Sequence, residues 1–265
     1  MADSRPIGVF DSGLGGLSVL RELSLAMPQE RFIYLGDIAR LPYGTKSQAV
    51  VSKYSISCGN FLVQQGIKAL VVACNTASAL ALPLLQQELG IPVVGVIEPG
   101  VSAALSVPSE ETILVLATEG TVKSEAYLQA FARRNPSRHV IQLACPLLVP
   151  LAEEGWFEHS ITESVIRTYL SQVKAHSYGV VLLGCTHYPL LEKSFSHVLE
   201  SGKQSVHGAH ILAQELHQLL REKNLLTSQP NTQGIQFFST DRIKTSLPIL
   251  RALFQEDIHF SLVDL

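Results

Sequence analysis

The stretch ALVVACNTASALALPLLQQELGIPVVGVI, from Ala69 to Ile97, decides the fold of this 265-residue chain. It opens with an apolar, β-rich run at Ala69–Ala73 and ends with a second one at Val93–Ile97. Neither run alternates polar with apolar residues, which is typical of strands that are covered on both faces. Between them, Leu80–Leu89 has apolar residues at helical spacing. Strand, helix and strand in this order predict a parallel βαβ unit.

The same alternation continues in both directions along the chain. The other predicted strands are Ile7–Phe10, Phe32–Leu35, Ile113–Ala117, Val140–Leu143, Val180–Leu183, Ile235–Phe238 and a weaker one near Ile258–Leu262. The other predicted helices are Leu17–Met27, Gln48–Gln65, Ser124–Arg134, Ser160–Lys174 and Ala209–Glu222. The sequence therefore predicts an α/β fold with parallel sheets.

The chain also resembles itself. VFDSG (Val9–Gly13) and VLATEG (Val115–Gly120) each follow a predicted strand, and the spacing from Asp11 to Thr118 nearly equals that from Cys74 to Cys185. Chance is an alternative for so short a similarity. Two related halves predict two pseudo-symmetric domains, each a parallel-sheet α/β sandwich, with the active site in the cleft between them, where the carboxyl ends of the strands meet.

The predicted switch between the domains is a loop at Glu98–Gly100. We expect the chain to return to the first domain after Val206, because the C-terminal segment has no other partner. The first domain is therefore predicted to comprise residues 1–98 and 207–265, and the second domain residues 99–206.

Composition excludes several classes of function. The net charge is −3 with no long basic run, which disfavours a nucleic-acid or anionic-membrane partner. The longest apolar runs are strand-sized, and the N-terminus lacks the pattern of a signal peptide. Four cysteines without metal-ligand spacing, and no HExxH-like histidine set, predict reduced thiols, no metal site and a cytoplasmic protein.

Two of the cysteines stand where chemistry is expected. Cys74 and Cys185 each end an apolar run and precede a predicted helix start, followed by Asn75-Thr76 and Thr186-His187. A thiol at a helix N-terminus is favoured as thiolate, and the N–H groups there bind carboxylates. A buried structural role is the alternative for any single cysteine, but the matched positions favour a functional pair. Cys58 is interpreted as structural and Cys145 is given no role.

Other polar residues lie near these segments. Asp11, with Ser12, follows the first predicted strand and is expected to orient an ammonium group, take a proton from Cys74, or cap the next helix. Gly13, Gly15 and Gly16 do not have the spacing of a phosphate loop and predict a tight turn beside a small ligand. His187 is a candidate proton relay for Cys185. Glu153 and Glu154 lie in the predicted loop CPLLVPLAEEG. They are interpreted as surface carboxylates, with a position of one of them beside Cys185 as the alternative.

Together these segments resemble the glutamate racemase family, within the aspartate/glutamate racemase superfamily. The matching stretches are GVFDSGLGGLSVL (Gly8–Leu20), YLGDIARLPYG (Tyr34–Gly44), VVACNTASA (Val71–Ala79), GVIEPG (Gly95–Gly100), ATEGTVKSEAY (Ala117–Tyr127), CPLLVPLAEEG (Cys145–Gly155) and LLGCTHYPLL (Leu182–Leu191). DSGxGG, ACNTASA and GCTHYPL in this order are highly specific.

The resemblance implies a cofactor-independent racemase that uses neither pyridoxal phosphate nor metal. It implies that Cys74 and Cys185 act on opposite faces of the α-carbon of glutamate, one removing a proton and the other delivering one. Asp11 and Asp37 would assist the first thiol, and His187 and Glu153 the second. The implied substrate-binding residues are Asp11, Ser12, Pro42, Tyr43, Gly44, Asn75, Thr76, Thr118, Thr121, Thr186 and His187. The D-glutamate formed would feed peptidoglycan synthesis, hence cell-wall biogenesis and cell shape, and a homodimer is implied.

Three departures from the family pattern stand out. Ile38 replaces the usual threonine and is expected to line the approach to the site, and Val206-His207-Gly208 replaces an Asp-Ser pair, where packing or hinge behaviour is expected to differ. The N-terminal extension of precursor-activated members is absent, so no such activation is expected. Two alternatives stay open: a racemase of aspartate or a hydantoin, and a catalytically idle homologue with a binding or regulatory role.

Overall fold

A computed structural model describes residues 3–228, 230–243, 248–254 and 258–265. The strands are β1 (Ile7–Asp11), β2 (Phe32–Gly36), β3 (Ala69–Val72), β4 (Val93–Gly95), β5 (Thr112–Ala117), β6 (Val140–Ala144), β7 (Tyr178–Gly184), β8 (Gln204–Val206), β9 (Ile235–Ser239) and β10 (Phe260–Leu262). The helices are α1 (Leu17–Ala26), α2 (Gln48–Gln64), α3 (Asn75–Glu88), α4 (Ile97–Ser106), α5 (Glu119–Lys123), α6 (Ala126–Arg134), α7 (Leu148–Glu153), α8 (Ser160–Ser171), α9 (Glu192–Val198), α10 (Ala209–Glu222) and α11 (Pro248–Leu253). Within the described ranges, no helix combines the length and apolarity that a membrane crossing requires.

The described strands form two parallel sheets. The first has the order β10-β9-β2-β1-β3-β4, and the second has the order β6-β5-β7-β8. The run β2-β1-β3-β4 in the first sheet repeats as β6-β5-β7-β8 in the second, so the two halves share one topology. β9 pairs with β2 and extends the first sheet beyond this common unit. The prediction of two pseudo-symmetric, parallel-sheet α/β units is confirmed.

Helices cover both faces of each sheet. On the first sheet, α1 and α10 pack through Leu20 and Leu216 on one face, and α2 and α3 pack through Val51 and Leu85 on the other. All five residues of β1 are buried, as its lack of alternation predicted. Replacing one such leucine with alanine lowers the free energy of unfolding by about 2–5 kcal/mol. The packed helices therefore hold the strand ends in fixed positions.

Two predicted loops are helical. Glu98–Gly100 lies inside α4, and the predicted loop that contains Glu153 forms α7. In each case a proline is the third residue of the helix, Pro99 in α4 and Pro150 in α7. The first turn of a helix has N–H groups without intrahelical partners, so proline is tolerated there. The two loop predictions were therefore wrong, since both prolines lie where a helix tolerates them.

Helix and strand limits also differ elsewhere. α3 begins at Asn75, as the predicted helix start after Cys74 requires, and so extends before the apolar window Leu80–Leu89. Ile97 begins α4 instead of ending β4. β8 was not predicted, because three residues containing Gln204 and Ser205 lack an apolar signature.

The division into residues 1–98 with 207–265, and 99–206, stays a prediction. It is supported by the strands, since β5 to β8 all lie between the two proposed boundaries. The first boundary falls within α4, whose Ile97 and Val101 already pack against the second sheet. We therefore propose that the first crossover coincides with the start of this helix.

Candidate active site

A cavity of about 100 Å³ lies beyond the carboxyl ends of the central strands of both sheets. The predicted site residues that line it are Ser12, Pro42, Tyr43, Gly44, Cys74, Asn75, Thr76, Thr118, Cys185, Thr186 and His187. Leu41, Thr45, Glu119, Pro146, Val149 and Pro150 also line it and were not predicted. Most of these adjoin predicted residues or quoted motifs, and that adjacency was the available signal. The cavity is smaller than the roughly 300–1,000 Å³ typical of drug-sized ligands, so it suits a small metabolite.

Asp11, Asp37, Thr121 and Glu153 do not line this cavity, although the structure describes all four. Each instead contacts a residue that does line it, in the same order Thr186, Tyr43, Thr118 and His187. The structure therefore separates the predicted site into residues at the cavity wall and residues behind it.

Cys74 sits at the N-cap of α3 on the first sheet. Its Sγ accepts from the backbone N–H of Ala77 at 3.4 Å and donates to Ser12 Oγ at 3.4 Å. Burial and the nearby negative charge of Asp11 raise the pKa of Cys74 to about 12, against the opposing effect of its hydrogen bonds. At neutral pH this cysteine is a thiol, the form that donates a proton.

Cys185 follows β7 on the second sheet and has a different neighbour. His187 Nδ1 lies 3.9 Å from Cys185 Sγ, and His187 Nε2 lies 3.3 Å from Glu153 Oε1. Burial lowers the pKa of His187, but its contacts with Cys185 and Glu153 outweigh burial and raise the pKa to about 10. A protonated His187 stabilises negative charge on the adjacent sulfur. The two thiols therefore have electrostatically opposite surroundings.

Asp11 is completely buried behind the cavity. Its Oδ2 accepts from Gly13 N at 2.9 Å, and its Oδ1 accepts from Thr186 Oγ1 at 3.4 Å, a contact between the two halves. Burial raises the pKa of Asp11 despite the nearby charge of His187. α1 begins at Leu17 after Gly16, with no side-chain cap. The alternative that Asp11 caps the next helix is therefore wrong.

Three threonine hydroxyls join the halves across the cleft. Thr76 lies 2.9 Å from Thr118 and 3.3 Å from Thr121, and Thr118 lies 3.0 Å from Thr121 (Oγ1 to Oγ1). Beside them, Asn75 Nδ2 donates to Tyr127 OH at 2.8 Å. Hydroxyls that bond to one another can exchange those bonds for bonds to a carboxylate, and the free N–H groups at the start of α3 favour the same anion.

The glycine-rich turn is explained by close packing. A Cβ on Gly15 would lie 2.5 Å from Thr186 Oγ1 and 2.6 Å from His187 Nδ1, and a Cβ on Gly16 would lie 2.4 Å from Asp11 Cβ. Neither glycine has a positive φ angle. Gly15 is therefore required because the turn contacts residues of the second half, and Gly16 because the turn packs against Asp11 of the first half.

The structure shows the surroundings of Ile38 and of Gly208, where the chain departs from the family pattern. Ile38 is half-buried against the apolar cluster that includes residues of α1 and α10. It is not among the residues that line the cavity, and the expectation that it lines the approach to the site stays a prediction. A Cβ on Gly208 would lie 2.4 Å from Gly100 N. Gly208 thus permits α10 and α4 to approach closely where the two halves join.

Comparison with known proteins shows the family of the chain. The model of the Asp/Glu/Hydantoin racemase family matches residues 7–216. A glutamate racemase from Geobacter metallireducens is 47% identical over 89% of this chain and 88% of its own length. One from Neisseria meningitidis serogroup A is 42% identical over 89% of this chain and 88% of its own. The crystal structure of glutamate racemase from Francisella tularensis in complex with D-glutamate has a TM-score of 0.91 at 36% identity, covering 99% of this chain and 98% of that one.

The fold and the paired thiols are those of an amino-acid isomerase with two α/β units. The chain belongs to the Asp/Glu/Hydantoin racemase family and, within it, to the glutamate racemases.

The charge on His187 predicts a pH-dependent contribution to stability. Its folded pKa of about 10 lies above the ordinary value of 6.5, so the contribution is full below about pH 6.5 and is lost as pH rises through about 10. We expect the difference in free energy of unfolding between the wild type and His187→Gln to shrink steadily from pH 7 to pH 10 in urea titrations. A difference that stays constant over this range contradicts the ion pair.

Proposed function

We propose that this protein interconverts L- and D-glutamate by two-base proton transfer between Cys74 and Cys185, without a cofactor. The observation that carries the proposal is that both sulfur-bearing side chains line one small cavity, each from the end of a central strand of a different sheet. Two bases on opposite sides of one α-carbon would allow inversion without a single group having to reach both faces.

The proposed cycle conserves protons. The thiolate of Cys185 takes the α-proton of one enantiomer, leaving a carbanion, and the thiol of Cys74 donates its own proton to the opposite face. The reverse reaction begins with a thiolate at Cys74 and a thiol at Cys185. The raised pKa of Cys74 suits its role as donor, and the imidazolium of His187 supports negative charge on Cys185.

The α-proton of an amino acid is weakly acidic, so its removal needs groups that stabilise the negative charge that develops on the substrate. Hydrogen-bond donors that are already oriented toward developing charge lower a barrier more than flexible solvent does. The hydroxyls of Thr76, Thr118 and Thr186 and the N–H groups at the start of α3 surround the cavity and would bind the substrate carboxylates. We propose that the predicted substrate-binding set acts in this way, with Thr121 supporting Thr76 and Thr118 from behind.

The choice of glutamate rests on the named relatives and on the small size of the cavity. We further propose, on the family resemblance, that D-glutamate produced here supplies peptidoglycan synthesis in the cytoplasm and that the protein is a homodimer. We propose neither a nucleic-acid nor a membrane partner, since the net charge is −3 with no long basic run.

A circular-dichroism assay tests the substrate. Purified protein is incubated separately with L-glutamate, D-glutamate, L-aspartate and a 5-substituted hydantoin, and the loss of optical activity is followed. We expect racemisation of both glutamate enantiomers and rates at least tenfold lower for the other compounds. Preferential turnover of aspartate or a hydantoin overturns the substrate assignment, and inactivity toward all four supports an idle homologue instead.

A further inference from the structure

The loop between β2 and α2 forms one wall of the cavity and is held by a distant part of the chain. Pro42, Tyr43 and Gly44 on this loop line the cavity. At the root of the loop, β2 pairs with β9, so that Gly36 lies opposite Ser239. Thr240, the residue after β9, is therefore placed directly beside the loop.

Thr240 makes three hydrogen bonds there. Its backbone N–H donates to Gly36 O at 3.2 Å, and its Oγ1 accepts from Ala39 N at 3.0 Å. The same hydroxyl donates to Asp37 Oδ1 at 2.8 Å. A hydroxyl has one donor and two acceptor positions, so this one satisfies a backbone N–H and a buried carboxylate together.

Asp37 transmits that contact to the cavity wall. Its side chain is fully buried, and its second oxygen, Oδ2, accepts from Tyr43 OH at 2.5 Å. Burial raises the pKa of Tyr43, which keeps the phenol protonated and able to donate. The chain of contacts thus runs from Thr240 through Asp37 to Tyr43.

Arg40 supplies a second connection to the C-terminal segment. Its guanidinium contacts the main-chain oxygen of Leu265 and lies 3.7 Å from Asp37 Oδ2. It also stands 4.8 Å from the ring centre of Tyr54, which packs against Tyr43 at 6.0 Å. Two C-terminal contacts therefore converge on the same tyrosine.

The far end of the loop contacts the second half of the molecule. A Cβ on Gly44 would lie 2.8 Å from Thr118 Cβ, and a Cβ on Gly120 would lie 3.0 Å from Gly44 O. With this little space, movement of the loop changes the distance between Tyr43 and the threonine cluster. Anchoring the root of the loop therefore fixes the width of the cavity.

We propose that Thr240 is a positioning residue for substrate binding, acting through Asp37 and Tyr43 from outside the residues 7–216 that the family model matches. Asp37 then acts on the site by holding Tyr43. The kinetic part of this inference rests on the proposed function, whereas its structural part does not.

The test uses Thr240→Val, which keeps the shape and removes both hydroxyl bonds, and Thr240→Ser, which restores the hydroxyl. The matched control is Ser239→Ala, since Ser239 is a buried neighbour whose Oγ donates to Asp241 O at 2.8 Å and does not contact the loop. Losing hydrogen bonds of ordinary strength lowers the equilibrium constant between the anchored loop and its open conformations by about tenfold. Because apparent affinity scales with the binding-competent population, we expect KM for both glutamate enantiomers to rise in Thr240→Val, by up to about tenfold, with kcat changed less than threefold.

Hydrogen–deuterium exchange gives a second readout that needs no substrate. The amide of Ala39 is expected to exchange about tenfold faster in Thr240→Val, and at the wild-type rate in Thr240→Ser and Ser239→Ala. An unchanged KM in Thr240→Val, or an equal rise in Ser239→Ala, overturns the inference. If the wild type does not racemise glutamate, the proposed function fails and the exchange rate alone decides: faster exchange supports the anchor, and unchanged exchange overturns it.

Discussion

Cys74→Ala and Cys185→Ala are each expected to lower kcat for glutamate racemisation by roughly 10²- to 10⁴-fold, the usual contribution of one general acid or base. Both side chains line the cavity, and the proposed cycle uses each as acid in one direction and as base in the other. Loss of either therefore stops both directions. Circular dichroism with each enantiomer as the starting substrate measures the effect.

Cys145→Ala is the matched control for these variants. Cys145 is fully buried in the apolar cluster that also contains Cys185 but does not line the cavity, and within the described ranges its Sγ hydrogen-bonds to the main-chain oxygen of Leu143, at 3.7 Å. We expect this variant to lose some stability and to keep kcat within about threefold, since large effects belong to groups in the proton-transfer step. Full activity in Cys74→Ala or Cys185→Ala would contradict the two-thiol mechanism.

Gly15→Ala is expected to lower kcat/KM by about 10²-fold, the loss that a displacement of about 1 Å can cause at an active site. The added methyl group would lie within 2.6 Å of Thr186 Oγ1 and His187 Nδ1. Both atoms belong to short side chains that line the cavity, so the strain is relieved by moving His187 from Cys185 or by separating the two halves. Steady-state kinetics with each enantiomer measures the loss.

Gly8→Ala controls for simple overpacking. Its Cβ would lie 2.8 Å from Ile67 Cδ1, the flexible end of a core side chain in the first half. We expect Gly8→Ala to destabilise the protein by about 1–3 kcal/mol in urea unfolding while kcat/KM stays within about threefold of the wild type. If Gly15→Ala behaves like Gly8→Ala in both measurements, the turn does not position the site.

Short-range sequence signals predicted the strand ends well. Cys74 and Cys185 each follow an apolar strand, and parallel strands place their carboxyl ends at one edge, so the pattern brought both thiols to one cavity. The repeat between the halves predicted two related α/β units, which share one strand order in the structure. The loops predicted at Glu98–Gly100 and around Glu153 proved helical, since proline is tolerated in the first turn of a helix and the local sequence did not mark where α4 and α7 begin.

These local sequence signals did not predict contacts between segments that are far apart in the chain. Thr240 reaches Asp37 only because β9 pairs with β2, and nothing in its own neighbourhood indicates that pairing. Ile38 was expected from its motif to line the approach to the site, and that motif did not indicate its packing against the apolar cluster of the first half. Gly15 was interpreted as part of a tight turn, but a side chain is excluded there by the contacts with Thr186 and His187 across the cleft.

The structure makes the thiol pair asymmetric on a nearly symmetric scaffold. Cys74 is a buried thiol near the carboxyl group of Asp11, and Cys185 lies beside the imidazole of His187. The halves share one strand order, so the difference lies in the residues that follow each strand. In the proposed two-base mechanism, the two thiols would therefore exchange protons beside different neighbouring groups.

Deuterium incorporation during the first few per cent of turnover tests the two-thiol claim most directly. In deuterated water, with L-glutamate or D-glutamate as the starting substrate, the account predicts deuterium at the α-carbon of the product enantiomer and almost none in the remaining substrate. This follows because the base that removes the proton differs from the acid that delivers the deuteron. Rapid and equal incorporation into unreacted substrate would indicate a single base and contradict the account.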